Sequence, residues 1–92
     1  MVIGLLTVEI FIPDSGSLKS KRFVVKSLKD RLRNKFNVSV AEEQNNLWQR
    51  TVIAVAAVSS SEGHVKEVMQ KVKDMIFSEH NFEVLNHATE IL

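Results

Sequence analysis

The segment TVIAVAAV, residues 51–58, most constrains the fold, because all of its residues except the first are apolar. A short run rich in β-branched residues predicts a strand. Apolar side chains on both faces are typical of a central strand in a sheet that is covered on both sides. A chain of 92 residues is long enough for one core and too short for two. We therefore expect a single domain, residues 1–92, built around this strand.

The rest of the chain alternates between strand-like and helix-like periodicity. Strand-like alternation covers four segments, residues 2–12, 37–43, 47–58 and 82–92. Helical spacing of apolar residues follows the first and third of these, over residues 17–36 and from about 59 to 80. The order β-α-β-β-α-β predicts a ferredoxin-like α+β fold, with a four-stranded antiparallel sheet and two helices on one face. The first and third strands are central in this plan.

Serine and asparagine residues mark the predicted ends of these elements. Ser15 or Ser17 is suited to cap the first helix. Ser59 and Glu62 form a capping-box pattern for the second helix, in which each side chain accepts a hydrogen bond from the other residue's backbone N–H. Residues 13–16 are expected to break the first strand, and residues 44–46 to connect the second strand to the third.

The second face of the sheet needs a cover. Both predicted helices lie on one face, yet the third strand is apolar on both of its faces. In a chain this short, a second copy of the protein is the simplest cover. We therefore expect a homodimer.

The sequence offers little catalytic chemistry. It contains no cysteine, which excludes disulfides, thiolate zinc sites and cysteine nucleophiles. The three histidines have no metal-binding spacing, the three glycines lie too far apart for a phosphate loop, and the serines at 59–61 are better explained as a helix cap. We therefore expect no cofactor, no metal and no enzymatic activity. No apolar run approaches the roughly 20 residues that span a bilayer and no signal peptide is recognisable, so the expected compartment is the cytoplasm.

Most of the positive charge lies in the predicted first helix. Residues 19–35 contain eight of the twelve Lys and Arg residues and one acid, a formal charge of +7 against −6 for the rest of the chain. At 100° per residue, five of these cations form a continuous row beside the apolar stripe, here called the basic ridge: Lys19, Arg22, Lys26, Lys29 and Arg33. Like charges at this spacing repel one another, so the ridge predicts a surface for an anionic partner.

RNA is the leading candidate for that partner. The third strand has no aromatic residue on which bases could stack, and the chain has no GxxG loop, so any RNA contact should come from the basic ridge. Five phosphate contacts would give a slope of log K against log salt of roughly −3.5 to −4.5. Phe23, beside the ridge, would stack on a base or ribose, pack under the loop after the first strand, or lie in a subunit contact.

Three stretches resemble a known family. SLKSKR at 17–22, LKDRLRNKFNVSVAE at 28–42 and Trp48 are similar to the YlxP-like family of small bacterial proteins, a domain of unknown function, and the resemblance covers essentially the whole chain. It implies a ferredoxin-like fold, a bacterial cytoplasmic protein and, because genes of this family often lie near those for translation initiation and ribosome maturation, a connection with RNA or the ribosome. It assigns no catalytic residues. Further motif positions have an open role: Ser17, Lys21, Asn37, Ser39, Glu42 and Trp48.

Each motif position also has a structural interpretation. Glu42 would pair with Lys21 or Arg22, Asn37 and Ser39 would hold the helix-to-strand turn, and Trp48 would be a core residue or an interface anchor. Two further functions stay open beside RNA binding. One is a protein-interaction module that docks its basic helix on an acidic partner, and the other is a dimer that binds a small molecule or anion.

Overall fold

The computed structural model describes residues 1–13, 15–43, 45 and 47–92. Its elements are β1 (Val2–Phe11), α1 (Leu18–Lys35), β2 (Ser39–Glu43), β3 (Arg50–Ser59), α2 (Glu62–Phe77) and β4 (Glu83–Ile91). The strands form one antiparallel sheet in the order β2-β3-β1-β4. The predicted ferredoxin-like fold is confirmed, with β1 and β3 in the centre. Within the described residues, no helix is long and apolar enough to cross a membrane.

The core lies between the two helices and one face of the sheet. Leu6, Val8 and Ile10 of β1 are fully buried, and the residues paired with them in β3 face the same way. The apolar stripes of both helices are buried against this face. Burying one such side chain contributes about 1.5–3 kcal/mol. At one end α2 comes so close to β1 that a Cβ on Gly4 would lie 2.5 Å from a methyl carbon of Val65.

The other face of the sheet is not covered by any described part of the chain. Its central rows come from alternate residues of β1 and β3, among them Leu5, Ala54 and Ala56, which are partly exposed. At one end of this face Ile3 is 44% exposed and Val58 is 62% exposed. β3 is therefore apolar on both faces, as predicted, but only one of those faces is packed within the chain.

The helix caps differ in part from the prediction. Ser17 caps α1, because its Oγ accepts a hydrogen bond from the backbone N–H of Ser20 at 3.1 Å. The capping box at Ser59 is wrong: Ser59 belongs to β3, and the cap of α2 is Ser61, whose Oγ accepts from the N–H of His64 at 3.2 Å. α2 also ends at Phe77, three residues earlier than predicted.

The predicted connections are only partly described. β2 begins at Ser39 and β3 begins at Arg50, so each strand starts later at its N-terminal end than predicted. Three residues of the predicted turns, Asp14, Gln44 and Asn46, lie outside the described residues.

Candidate nucleic-acid interface

A groove of about 690 Å³ runs along α1 where this helix packs on the edge strand β2. We call it the α1–β2 groove. It brings together four of the five ridge residues, two of the open motif positions and three other side chains: Leu18, Lys21, Arg22, Lys26, Lys29, Asp30, Arg33, Glu42 and Asn45. Five of these nine side chains are cationic and two are anionic. The groove is therefore a surface of net positive charge with two carboxylates in its lining.

The basic ridge is partly neutralised by Asp30, which lies beside it on α1. Lys26 Nζ lies 2.7 Å from Asp30 Oδ2, and Arg33 Nη1 lies 4.0 Å from Asp30 Oδ1. The hydrogen bond from Lys26 is the main reason that the pKa of the Asp30 carboxyl is lowered below its ordinary value of 3.8. Exposed pairs of this kind contribute little to stability, because the charges are screened by solvent. A phosphate could therefore replace Asp30 at small cost.

Two ridge residues have additional contacts with β2. Arg33 Nη2 donates to the backbone oxygen of Val40 at 2.9 Å. Lys29 Nζ lies 3.8 Å from Glu42 Oε1, and the two side chains are only 24% and 14% exposed. Lys29 is thus the most enclosed cation of the ridge.

The N-terminal half of the ridge is the most open. Within the part of the chain that the structure describes, Lys19 and Arg22 form no ion pair, and both are exposed. Phe23 beside them is 77% exposed. The prediction that Phe23 packs within its own chain is therefore wrong. Its stacking on a ligand and its contact with another molecule stay predictions.

Lys21 is a structural tie and not part of the open surface. Its side chain is buried, with 2% exposed. Its ammonium donates to Leu47 O at 2.6 Å, to Asn45 Oδ1 at 2.8 Å and to Asn45 O at 3.4 Å. Asn45 Oδ1 also accepts from the backbone N–H of Leu47 at 3.0 Å. Lys21 therefore fastens α1 to the connection between β2 and β3.

Glu42 lies on the helix-facing side of β2, because it pairs with the buried Ile53 of β3. Its Oε2 accepts a hydrogen bond from the hydroxyl of the buried Thr51 at 3.1 Å. The predicted pairing of Glu42 with Lys21 or Arg22 is wrong, because Lys21 turns to the β2–β3 connection and Lys29 is the cation nearest to Glu42.

The remaining motif positions lie away from the groove. Asn37 and Ser39 are exposed, and their side chains form no hydrogen bond with another described residue, so their predicted role in the turn is wrong. Trp48 is 55% exposed, which rules out the core, and its role as an interface anchor stays a prediction. Among the described residues, no three His, Cys, Asp or Glu side chains come together as a metal site requires.

Asp30, Asn45 and Thr51 were not expected at this site. Asp30 was visible as the one acid of the basic segment, and its i+4 spacing from Lys26 is a signal for a pair. Asn45 and Thr51 lie far from α1 in sequence, and no local pattern connects them with Lys21 or Glu42.

Fold and site together define a ferredoxin-like domain with a basic groove beside its first helix. The family described as "Protein of unknown function (DUF503)" matches residues 3–89, and the chain belongs to this family. It is 45% identical over 78 residues, 84% of this chain and 85% of the relative, to the "Uncharacterized protein YlxP" of Bacillus subtilis (strain 168). The resemblance to the YlxP-like family is thus confirmed.

A solved structure supports the fold alone. The solution NMR structure of the de novo designed protein LFR1 1, with ferredoxin fold, matches with a TM-score of 0.51 and 10% sequence identity. The match covers 100% of this chain and 84% of the designed protein.

Proposed function

We propose that this protein is a non-catalytic cytoplasmic protein that binds structured RNA through the basic ridge of α1. The observation that supports this most is the α1–β2 groove, in which four ridge cations line one surface. The ridge spans residues 19–33, a length of about 21 Å at 1.5 Å per residue, which accommodates several successive phosphates. Ribosomal RNA is the first target to test, because of the genomic setting of the YlxP-like family.

Binding would depend on contacts between the ridge cations and phosphates. Lys19 and Arg22 are exposed, and a phosphate would replace Asp30 at Lys26 and Arg33. Lys29 is excluded from this count because Glu42 is already beside it. Four contacts give an expected salt slope of about −2.8 to −3.6. Such contacts position the protein on the RNA without reading its sequence.

Charge reversal at the open end of the ridge tests the proposal. Binding of labelled ribosomal RNA fragments is measured by fluorescence anisotropy across a salt series, for wild type and for a variant with Lys19, Arg22 and Lys26 changed to Glu. The matched control changes Lys66, Lys71 and Lys73 of α2 to Glu, which alters the net charge by the same amount.

We expect the ridge variant to lose at least half of the salt slope and the α2 variant to retain it. Circular dichroism must show that both variants are folded. No binding by wild type at 50 mM salt, or equal slopes for the two variants, would contradict RNA binding by the ridge.

A protein partner with an acidic surface is the second candidate, and the exposure of Phe23 favours it. An apolar side chain at 77% exposure beside cations is the arrangement of an interface anchor with a charged rim. Competition distinguishes the two functions: any structured RNA should displace a bound RNA, whereas a docking helix would prefer one protein over bulk polyanion. A small-molecule or anion ligand would instead raise the melting temperature at low concentration.

We also propose a homodimer in which a second copy covers the open face of the sheet. Leu5, Ala54 and Ala56 lie on the two central strands of this face, whereas its carboxylates lie toward the edges, with Glu9 near the end of β1 and Glu43 and Glu90 on the outer strands. Stacking two such faces leaves an apolar centre with a charged rim. Three strands of nine or ten residues and one of five give a face of roughly 500 Å², so two faces bury about 1,000 Å², which is at the lower limit for a stable interface.

Light scattering after size-exclusion chromatography tests the dimer. At tens of micromolar we expect twice the chain mass of 10.4 kDa. Ala54→Lys, in the centre of the open face, should give the monomer mass, while Ser60→Lys, an exposed change after β3, should not. A wild-type mass near 10.4 kDa would exclude this dimer.

A further inference from the structure

Glu42 is an unexpected residue in a groove that binds a polyanion. Its carboxylate lines the α1–β2 groove and is largely enclosed, with 14% of the side chain exposed. A negative charge there repels phosphate and lowers affinity, unless the ligand also offers a hydrogen-bond donor to the carboxylate. The two carboxylate oxygens therefore need to be examined separately.

One carboxylate oxygen of Glu42 accepts a hydrogen bond, and the other accepts none from a described residue. Oε2 accepts the hydroxyl of Thr51 at 3.1 Å, which fixes the orientation of the carboxylate. Oε1 lies 3.8 Å from Lys29 Nζ, beyond hydrogen-bond distance, and accepts no hydrogen bond from any other described residue. Oε1 is thus an oriented acceptor in the same groove as Arg22, Lys26 and Arg33, the cations that would hold phosphates.

Ribose provides the matching donor. A strand whose phosphates contact the ridge carries a sugar beside each phosphate, and the 2′-hydroxyl is the group that distinguishes RNA from DNA. Carboxylates bind this hydroxyl in dinucleotide sites. A base amino group is a weaker candidate, because the bases of a paired RNA are turned away from its backbone, whereas every sugar is near a phosphate.

We propose that Glu42 Oε1 accepts a hydrogen bond from a ribose 2′-hydroxyl and makes the α1–β2 groove selective for RNA over DNA. This inference rests on the proposed RNA-binding function. It predicts two opposite effects of removing the carboxylate. Affinity for any polyanion rises because repulsion is lost, while the preference for RNA falls because the acceptor is lost.

The test compares three hairpins of one sequence, made as RNA, as 2′-O-methyl RNA and as DNA with deoxyuridine in place of thymidine. The 2′-O-methyl hairpin keeps the A-form shape and lacks the hydroxyl donors. Wild type should bind RNA about tenfold or more tightly than either of the other hairpins, as expected for one hydrogen bond to a charged acceptor.

Glu42→Gln should reduce that preference to within about twofold, because Thr51 would engage the amide oxygen and leave the NH₂ group facing the groove. The matched control is Asp30→Asn, which also removes a carboxylate from the groove lining but leaves Glu42 in place. It should strengthen binding to all three hairpins and leave the preference unchanged.

Each outcome decides between the proposals. Equal binding of RNA and 2′-O-methyl RNA by wild type would overturn the role of Glu42 while leaving RNA binding intact. An unchanged preference in a folded Glu42→Gln variant would also overturn it. If that variant does not fold, the comparison of hairpins on wild type still decides. No binding of any hairpin at low salt would overturn RNA binding itself.

Discussion

Replacing Lys21 with Met should destabilise the fold although the substituted residue has a similar size and shape. Lys21 is buried, and its ammonium donates to Leu47 O at 2.6 Å and to Asn45 Oδ1 at 2.8 Å. Methionine fills the volume of the lysine stem, so little cavity cost is expected. The change therefore removes the ammonium contacts between α1 and the β2–β3 connection and little else.

The magnitude follows from these contacts. A hydrogen bond from a charged donor contributes roughly 1.5–3 kcal/mol net, and two short ones together give about 3–6 kcal/mol. Part of this is offset because methionine removes the cost of burying an ammonium. Leu47 and Asn45 are exposed, so water can replace the lysine at their oxygens. We expect a net loss of about 2 kcal/mol, which lowers the melting temperature of a domain of this size by roughly 8–16 °C.

Urea denaturation followed by circular dichroism measures this loss, and Trp48 fluorescence reports on the connection itself. The matched control is Lys19→Met, two residues earlier on α1, where the side chain is exposed. It should change stability by less than about 0.5 kcal/mol. Equal stabilities of the two variants would refute the assignment of Lys21 as a tie.

Three further predictions test other features. Gly4→Ala should lower stability by about 1–3 kcal/mol in urea denaturation, because its Cβ would overlap two α2 side chains. Ser61→Ala should cost about 1 kcal/mol in the same assay, whereas Ser60→Ala should cost almost nothing, because Ser61 is the cap of α2. The Asp30 carboxyl should titrate below 3.8 by NMR and move upward in Lys26→Met. Because its folded pKa is lowered, any stability from this pair is present above about pH 4 and lost as the pH falls.

The fold followed from the sequence because burial in this chain obeys local periodicity. Apolar residues alternate in β1 and β3 and follow helical spacing in α1 and α2. These patterns indicate which side of each element is buried. The choice among consecutive serines did not follow from such a rule. All three serines at 59–61 are good caps, and the cap is Ser61 because β3 keeps pairing through Ser59, opposite Val2.

The candidate site was predicted only in part. The basic ridge follows from the local sequence of α1, whereas the residues that contact its side chains are distant in the sequence. The helical spacing of the five ridge cations is a property of α1 alone. Which cation meets Glu42 depends on how α1 docks on β2, and the burial of Lys21 depends on where the β2–β3 connection passes. On a helical projection of α1, Lys21 lies at the border of the apolar stripe, and only the tertiary structure shows what its ammonium contacts.

The cations of α1 fall into two groups: those that contact another part of the chain and those that do not. Lys21, Lys29, Arg31 and Arg33 each contact a group on another part of the chain, Arg31 through an ion pair with Glu79. Of the remaining cations, Lys35 lies in the last turn of α1 and the other three lie in its first half, whose first turn contains Lys19 and no acid, whereas α2 begins with Glu62.

Positive charge at a helix N-terminus is unfavourable, because it opposes the helix dipole. Folding alone therefore gives no reason for cations at this end of α1, beside an exposed Phe23. An anionic partner gives one, since the same cations and the N-terminal dipole would both attract it. The placement of charge on α1, more than its amount, is thus the feature of the chain that the proposed anionic partner would explain and stability does not.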